Sequence, residues 1–170
     1  TEVSMSVVVN TKVWDKLKAN FNKSQEKEIQ LGWFPENKYG ADKGNVQMAQ
    51  VAHLNEEGHT NGSDSMFPGA YTPPRPFMRI GLKEALVSGS NTVQFDAMIK
   101  AVVSGQSVLK SLQQAVIPLE HTLRKVMEDW DTPGNAPATI ALKGFDNPLH
   151  NSGELIANVT AKVMNREVVS

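Results

Sequence analysis

Ser107–Trp130, SVLKSLQQAVIPLEHTLRKVMEDW, places Val108, Leu112, Ala115, Leu119, Leu123, Val126 and Trp130 at intervals of three and four residues. That period is the signature of a helix with one buried face. Pro118 lies inside it, lacks an N–H and is expected to kink the helix or split it in two. Downstream the period changes: Leu155, Ala157, Val159, Ala161 and Val163 alternate with other residues, the pattern of a strand. The same alternation occurs upstream in Val3, Met5, Val7 and Val9, and again in Glu28–Phe34 (EIQLGWF), where Pro35 ends it. Strands near both ends with helices between them predict an α+β fold. Its sheet, mixed or antiparallel, is built from N- and C-terminal strands and packed with several helices.

The intervening segments fill in this plan. Asn10 or Thr11 can cap a helix carrying Val13, Trp14, Leu17 and Phe21 on one side and lysines on the other. Asn45 is placed to cap a helix from Val46 to about Glu57, with Met48, Ala49 and Ala52 inward and Gly58 as its stop. His59 to Thr72 is rich in Gly, Ser, Asn and Asp and reads as a mobile loop. Pro73, Pro74 and Pro76 then hold an extended arm over residues 73–79, with Pro76 suited to start the next helix, which carries Phe77, Ile80 and Leu86. A further helical pattern covers Thr92–Val103. Thr132–Pro137 reads as a turn, Thr139–Leu142 as a short strand and Asn147–Gly153 as an ordered loop. Trp14, Trp33 and Trp130 all sit on apolar faces and are expected in the core.

One domain of residues 1–170 accommodates this length. Apolar residues make up 40% and charged residues 21%, a globular composition. With 17 basic and 18 acidic residues, the net charge of −1 gives no global pull toward nucleic acid or an anionic membrane. No apolar run approaches the roughly 20 residues of a membrane span. The N-terminal residues lack the basic start and apolar core of a signal peptide, so folding in a cytoplasm is expected. The absence of cysteine removes disulfides and thiolate chemistry.

Candidate chemistry is sparse. His53, Glu56, Glu57 and His59 form the one cluster with ligand-type side chains, but HLNEEGH matches neither H-E-x-x-H nor H-x-x-E-H. It reads instead as a helix end with solvated carboxylates and an exposed histidine. No nucleophile elbow, triad order or phosphate-binding glycine loop is present, so neither catalytic residues nor a cofactor or metal is expected. Lys12, Lys16, Lys18, Lys23 and Lys27 make the first helix basic. They read as a solvated face, with phosphate contact by a nucleic-acid-binding protein as the alternative. In the proline arm, Arg75, Phe77 and Arg79 read either as a connector into a helix or as a preorganised surface for a partner.

Two strings carry a resemblance. AQVAHLNEEG (Ala49 to Gly58), a polar loop and PPRPFMR (Pro73 to Arg79) resemble the "A-x-x-x-E-x-G … P-x-R-P-F-[LM]-R" pattern of tailed-phage tail-completion, tail-terminator and neck proteins. Pro148, Leu149, Ser152, Gly153 and Leu155 match that family's "P-L-x-x-[TS]-G-x-L", although NPLHNSG lacks the aspartate–threonine pair common there. The resemblance covers about Val46 to Val163. It implies a non-enzymatic α+β virion protein at the head–tail junction, present in the host cytoplasm during assembly. Its partners would be further copies of itself in a ring, six being the expected number, together with head-connector and tail-tube proteins around the DNA channel. Pro73, Pro74, Arg75, Pro76, Phe77 and Arg79 are the interface residues this reading selects. A metal-dependent hydrolase is the remaining alternative.

Overall fold

A computed structural model describes residues 12–87 and 89–166. The described elements run α1 (Lys12–Gln25), β1 (Lys27–Gly32), α2 (Met48–Glu57), β2 (His59–Thr60), β3 (Tyr71–Thr72), α3 (Phe77–Val87), α4 (Gly89–Val103), α5 (Val108–Glu128), α6 (Pro137–Lys143), α7 (Glu154–Ala157) and β4 (Thr160–Asn165). The fold is α+β, with two antiparallel strand pairs, β1–β4 and β2–β3. β1 and β4 pair from Lys27↔Asn165 to Gly32↔Thr160, so the first described strand meets the last described one. The strand expected at Val3–Val9 lies outside the described residues.

α5 is the axis of the molecule. It runs unbroken past Pro118, so the expected split does not occur. Its buried positions, including Val108, Ser111, Ala115, Leu119, Leu123 and Met127, follow the helical period. α3 lies across it, burying Phe77, Gly81 and Ala85 at four-residue steps. A Cβ at Gly81 would lie 2.7 Å from Leu123 Cδ1 and 3.4 Å from Leu123 Cα, so any larger residue there would have to displace the Leu123 side chain. α5 also holds β4: Glu120 Oε1 accepts the Ala161 N–H at 2.6 Å, and the Arg124 guanidinium donates to the Val159 carbonyl. These side chains do on one edge of β4 what β1 does on the other.

Three expectations need correction. The strand read from Leu155 onward begins as helix α7, and only Thr160–Asn165 is extended. Leu155, Ile156 and Val159 are buried at a helical spacing and Ala161 is buried in the strand, whereas Ala157 of the apparent alternation is exposed. Thr139–Leu142 belongs to helix α6, which Pro137 opens and Gly144 closes in a left-handed cap. Trp14 is 58% exposed and Phe21 60%, so neither aromatic of α1 is packed into the core. Trp33 and Trp130 are partly buried against it as expected. Trp33 meets Phe77 edge-on at 6.1 Å and donates its indole N–H to the Leu155 carbonyl at 2.8 Å, tying the end of β1 to α3 and α7. A smaller difference concerns Asn45, which adopts a positive φ of 53° while Gln47 precedes α2.

Gly81→Val is expected to destabilise by about 1–3 kcal/mol through overpacking. At roughly 2–4 °C per kcal/mol for a chain of this size, a thermal melt resolves it. Leu82→Ala, on the exposed side of the same helix, should melt close to wild type; equal losses would mean that the α3–α5 approach is not the constraint described.

Candidate functional site

α2 buries Met48, Ala52 and Glu56, three positions at four-residue steps, so the carboxylate is carried inward on the helix's core face. It arrives at the N-terminus of α3. There Pro76 O accepts the first helical bond, from Ile80 N at 3.0 Å, which leaves the earlier N–H groups without intrahelical partners. Glu56 Oε2 accepts from Met78 N at 2.8 Å and Oε1 from Arg79 N at 3.2 Å. A residue 22 positions upstream thus supplies the acidic cap that a local Asp or Ser usually provides, where the helix dipole also favours negative charge. The Arg79 side chain then reaches back, Nε donating to Glu56 Oε1 at 2.9 Å and Nη2 to Glu57 Oε1 at 2.8 Å.

The other arginine of the arm has the opposite fate. Arg75 is 5% exposed. Its backbone N–H donates to Asn55 O at 2.8 Å, and its guanidinium donates to Asn55 Oδ1 at 3.0 Å, Pro133 O at 3.2 Å and Gly134 O at 3.2 Å. Burial lowers its pKa from the ordinary guanidinium value, Asp146 acting against that shift, and the group remains a cation. Asp146 in turn accepts from Asn135 N and Nδ2 at 2.9 and 3.1 Å, which fixes the 133–135 turn. Phe77 is fully buried. The outward presentation expected of Arg75, Phe77 and Arg79 is therefore corrected for the first two: the local pattern could not show that the 133–134 carbonyls and the core await them. Among the arm's residues Pro74 and Arg79 are exposed, while Pro73 and Pro76 are half-buried.

Gly58 allows the chain to double back. It sits at φ 74°, and a Cβ there would fall 2.7 Å from Pro74 N and 2.9 Å from Thr72 O. Between these crossing points, the segment read as a loop forms a β-hairpin. His59 pairs with Thr72 and Thr60 with Tyr71, while Asn61 exchanges backbone hydrogen bonds with Ala70 and Gly69 at 2.9 and 3.0 Å.

The C-terminal string closes the same unit. Leu149 and Leu155 enter the core beside Phe77 and Ala52. Asn147 Oδ1 accepts from Leu149 N and His150 N at 3.2 and 2.9 Å, and its amide donates to Glu128 O at the end of α5 at 2.7 Å. Lys43 bonds Ser152 Oγ at 3.2 Å and pairs with Glu154, whose carboxyl is held below its ordinary value chiefly by that lysine. A groove of about 320 Å³ lies between this segment and Tyr39, Val46 and Asn55. Burial, and then Glu154, raises the Tyr39 pKa.

The ligand-type cluster is not assembled. His53 is exposed, His59 Nδ1 lies 3.1 Å from the Leu54 carbonyl, and both carboxylates engage Arg79. No group of three metal-ligating side chains occurs among the described residues. The expectation of solvated carboxylates holds for Glu57 and is corrected for Glu56, which is 6% exposed. Among the described residues, no helix is long and apolar enough to cross a membrane. No family model, curated protein or solved structure matches the chain.

Glu56→Ala is expected to cost about 2 kcal/mol, by removing the cap and stranding two donors. Arg79→Ala should cost clearly less, since that side chain is mostly solvated. Denaturant titrations showing equal losses would place the energy in the exposed ion pairs instead. The depressed Glu154 carboxyl contributes stability above its ordinary pKa of 4.5, lost as pH falls through the lowered value. The gap in melting temperature between wild type and Glu154→Gln should accordingly close on acidification; a gap that widens would reverse the sign.

Proposed function

We propose that this chain is a structural, non-catalytic subunit of a tailed-phage particle, assembling as a closed ring at the head–tail joint. One observation carries the reading. The two strings that resemble the neck and tail-completion pattern converge on a single unit, in which the patterned side chains either pack the core or hold neighbouring segments in place. Ala52, Phe77, Leu149 and Leu155 form its core, Glu56 caps α3, Arg75 staples the 133–134 turn, and Gly58 permits the crossing. Such side chains are employed in shape rather than in reaction. Supporting this, many large apolar side chains stay exposed, among them Met66, Tyr71, Leu82, Leu86 and Ile117, as expected of a subunit that buries surface against neighbours. The ring surrounds the DNA channel between head connector and tail tube, and the location is the virion.

A second reading rests on α1, where Trp14 and Phe21 are exposed among lysines and Lys18 lies 5.7 Å from the Trp14 ring centroid. Aromatics interleaved with cations suit single-stranded nucleic acid.

Native mass measurement of the concentrated protein is expected to show one closed multimer, six copies, joined head-to-tail through one repeated interface. A monomer or two-fold dimer at every concentration sinks the ring. Tight, salt-sensitive DNA binding lost in Trp14→Ala would favour the second reading.

A further inference from the structure

Asn61 is followed by Gly62, and no other asparagine of the chain precedes a glycine. The neighbour matters because a backbone nitrogen can attack the carboxamide of the residue before it. Glycine offers that nitrogen with no side chain in the way and with the freest backbone rotation. Asn147, by contrast, precedes Pro148, which has no N–H to give up.

The hairpin leaves the attacking group available. Asn61 N donates to Ala70 O at 2.9 Å, Asn61 O accepts from Gly69 N at 3.0 Å, and Gly62 O accepts from Ser65 N at 3.2 Å. The Gly62 N–H between them donates to no group among the described residues. A Cβ built on Gly62 would meet nothing within 4 Å, so that side of the peptide is open to solvent. Two bonds oppose ring closure: Asn61 Nδ2 donates to Phe67 O at 3.1 Å, and turning the Asn61–Gly62 peptide releases Gly69 N. Both sit at the end of a ladder only two pairs long, His59↔Thr72 and Thr60↔Tyr71. A two-stranded ribbon so short is marginally stable in water and opens far more readily than the core.

We propose that Asn61 is a site of spontaneous deamidation in the folded protein. The Gly62 nitrogen loses its proton to solvent base and bonds to Asn61 Cγ. The Cγ–Nδ2 bond breaks, and ammonia leaves with a proton from solvent. Water then opens the succinimide at either carbonyl, giving aspartate, or isoaspartate with the main chain rerouted through the side chain. The net change is water taken up and ammonia released, with no oxidant or enzyme. Either product sets a carboxylate where an amide donor met Phe67 O, which unlatches the hairpin tip. It also adds one negative charge, near Asp64, to a chain of net charge −1. None of this depends on the ring reading.

The test is to age the folded protein in mildly alkaline buffer and map its peptides by mass spectrometry, with an isoaspartate-specific methyltransferase assay alongside. Position 61 should convert first, ahead of Asn151, at a rate within several-fold of that of the chain unfolded in urea. The rate should fall as the buffer is made mildly acid. Gly62→Ala should slow it at least several-fold with an unchanged melt, because Gly62 lies outside the left-handed region and has room for a methyl group. Asn61→Gln, which would have to close a six-membered ring, should stay unmodified over the same period and serves if Gly62→Ala melts early. Conversion confined to the unfolded chain, an earlier conversion at another asparagine, or an undiminished rate in a well-folded Gly62→Ala overturns the proposal.

Discussion

Glu56 carries a charge into the interior and gives it to a helix that begins 21 residues later. A buried carboxylate is costly unless its lone pairs are taken up, and here two backbone N–H groups and a guanidinium take them. The consequence is geometric. Once the carboxylate must meet Met78 N and Arg79 N, the end of α2 and the start of α3 are fixed relative to each other, and the 58–76 excursion must close between them. Gly58 is the residue that makes closure possible, and the prolines limit the paths by which it can happen. Arg75 then extends the same arrangement to the 133–134 turn, so that three stretches distant in sequence form one rigid joint.

Around that joint the helices divide the work unequally. α5 meets α3, α4 and β4, and its crossing with α3 is made close by a glycine. Beyond Phe77 the buried positions of α3 are small, Gly81 and Ala85, while Leu82 and Leu86 lie on the outside. The exposed leucines are thus a product of the packing rule at Gly81 and Ala85.

Much of this architecture was legible in the residues. The period of Ser107–Trp130, the alternation in Glu28–Phe34, the stop at Gly58 and the helix start beside Pro76 are all local signals, and each has its element in the fold. What was not legible is non-local. Glu56 looks like an ordinary polar residue at a helix end, because its partners lie 22 and 23 positions away. Arg75 looks like a surface charge for the same reason, its carbonyl acceptors being 58 and 59 positions distant. Leu155–Val163 misled because short apolar residues satisfy both periods, and burial, which separates them, is a tertiary property. Trp14 misled in the other direction: an amphipathic pattern shows that a face needs cover without saying whether its own chain provides it.

The handling of β4 bears on how faithfully the sheet is assembled. A two-stranded ribbon with one open edge can slide by a residue and turn every side chain to the wrong side. β4 is held twice, by the backbone of β1 and by α5, whose Glu120 accepts at Ala161 and whose Arg124 donates at Val159, the residue just before the strand. A slip would have to break both sets of bonds at once. The helix therefore acts as a gauge for the strand's alignment, and β4 is docked in one frame only.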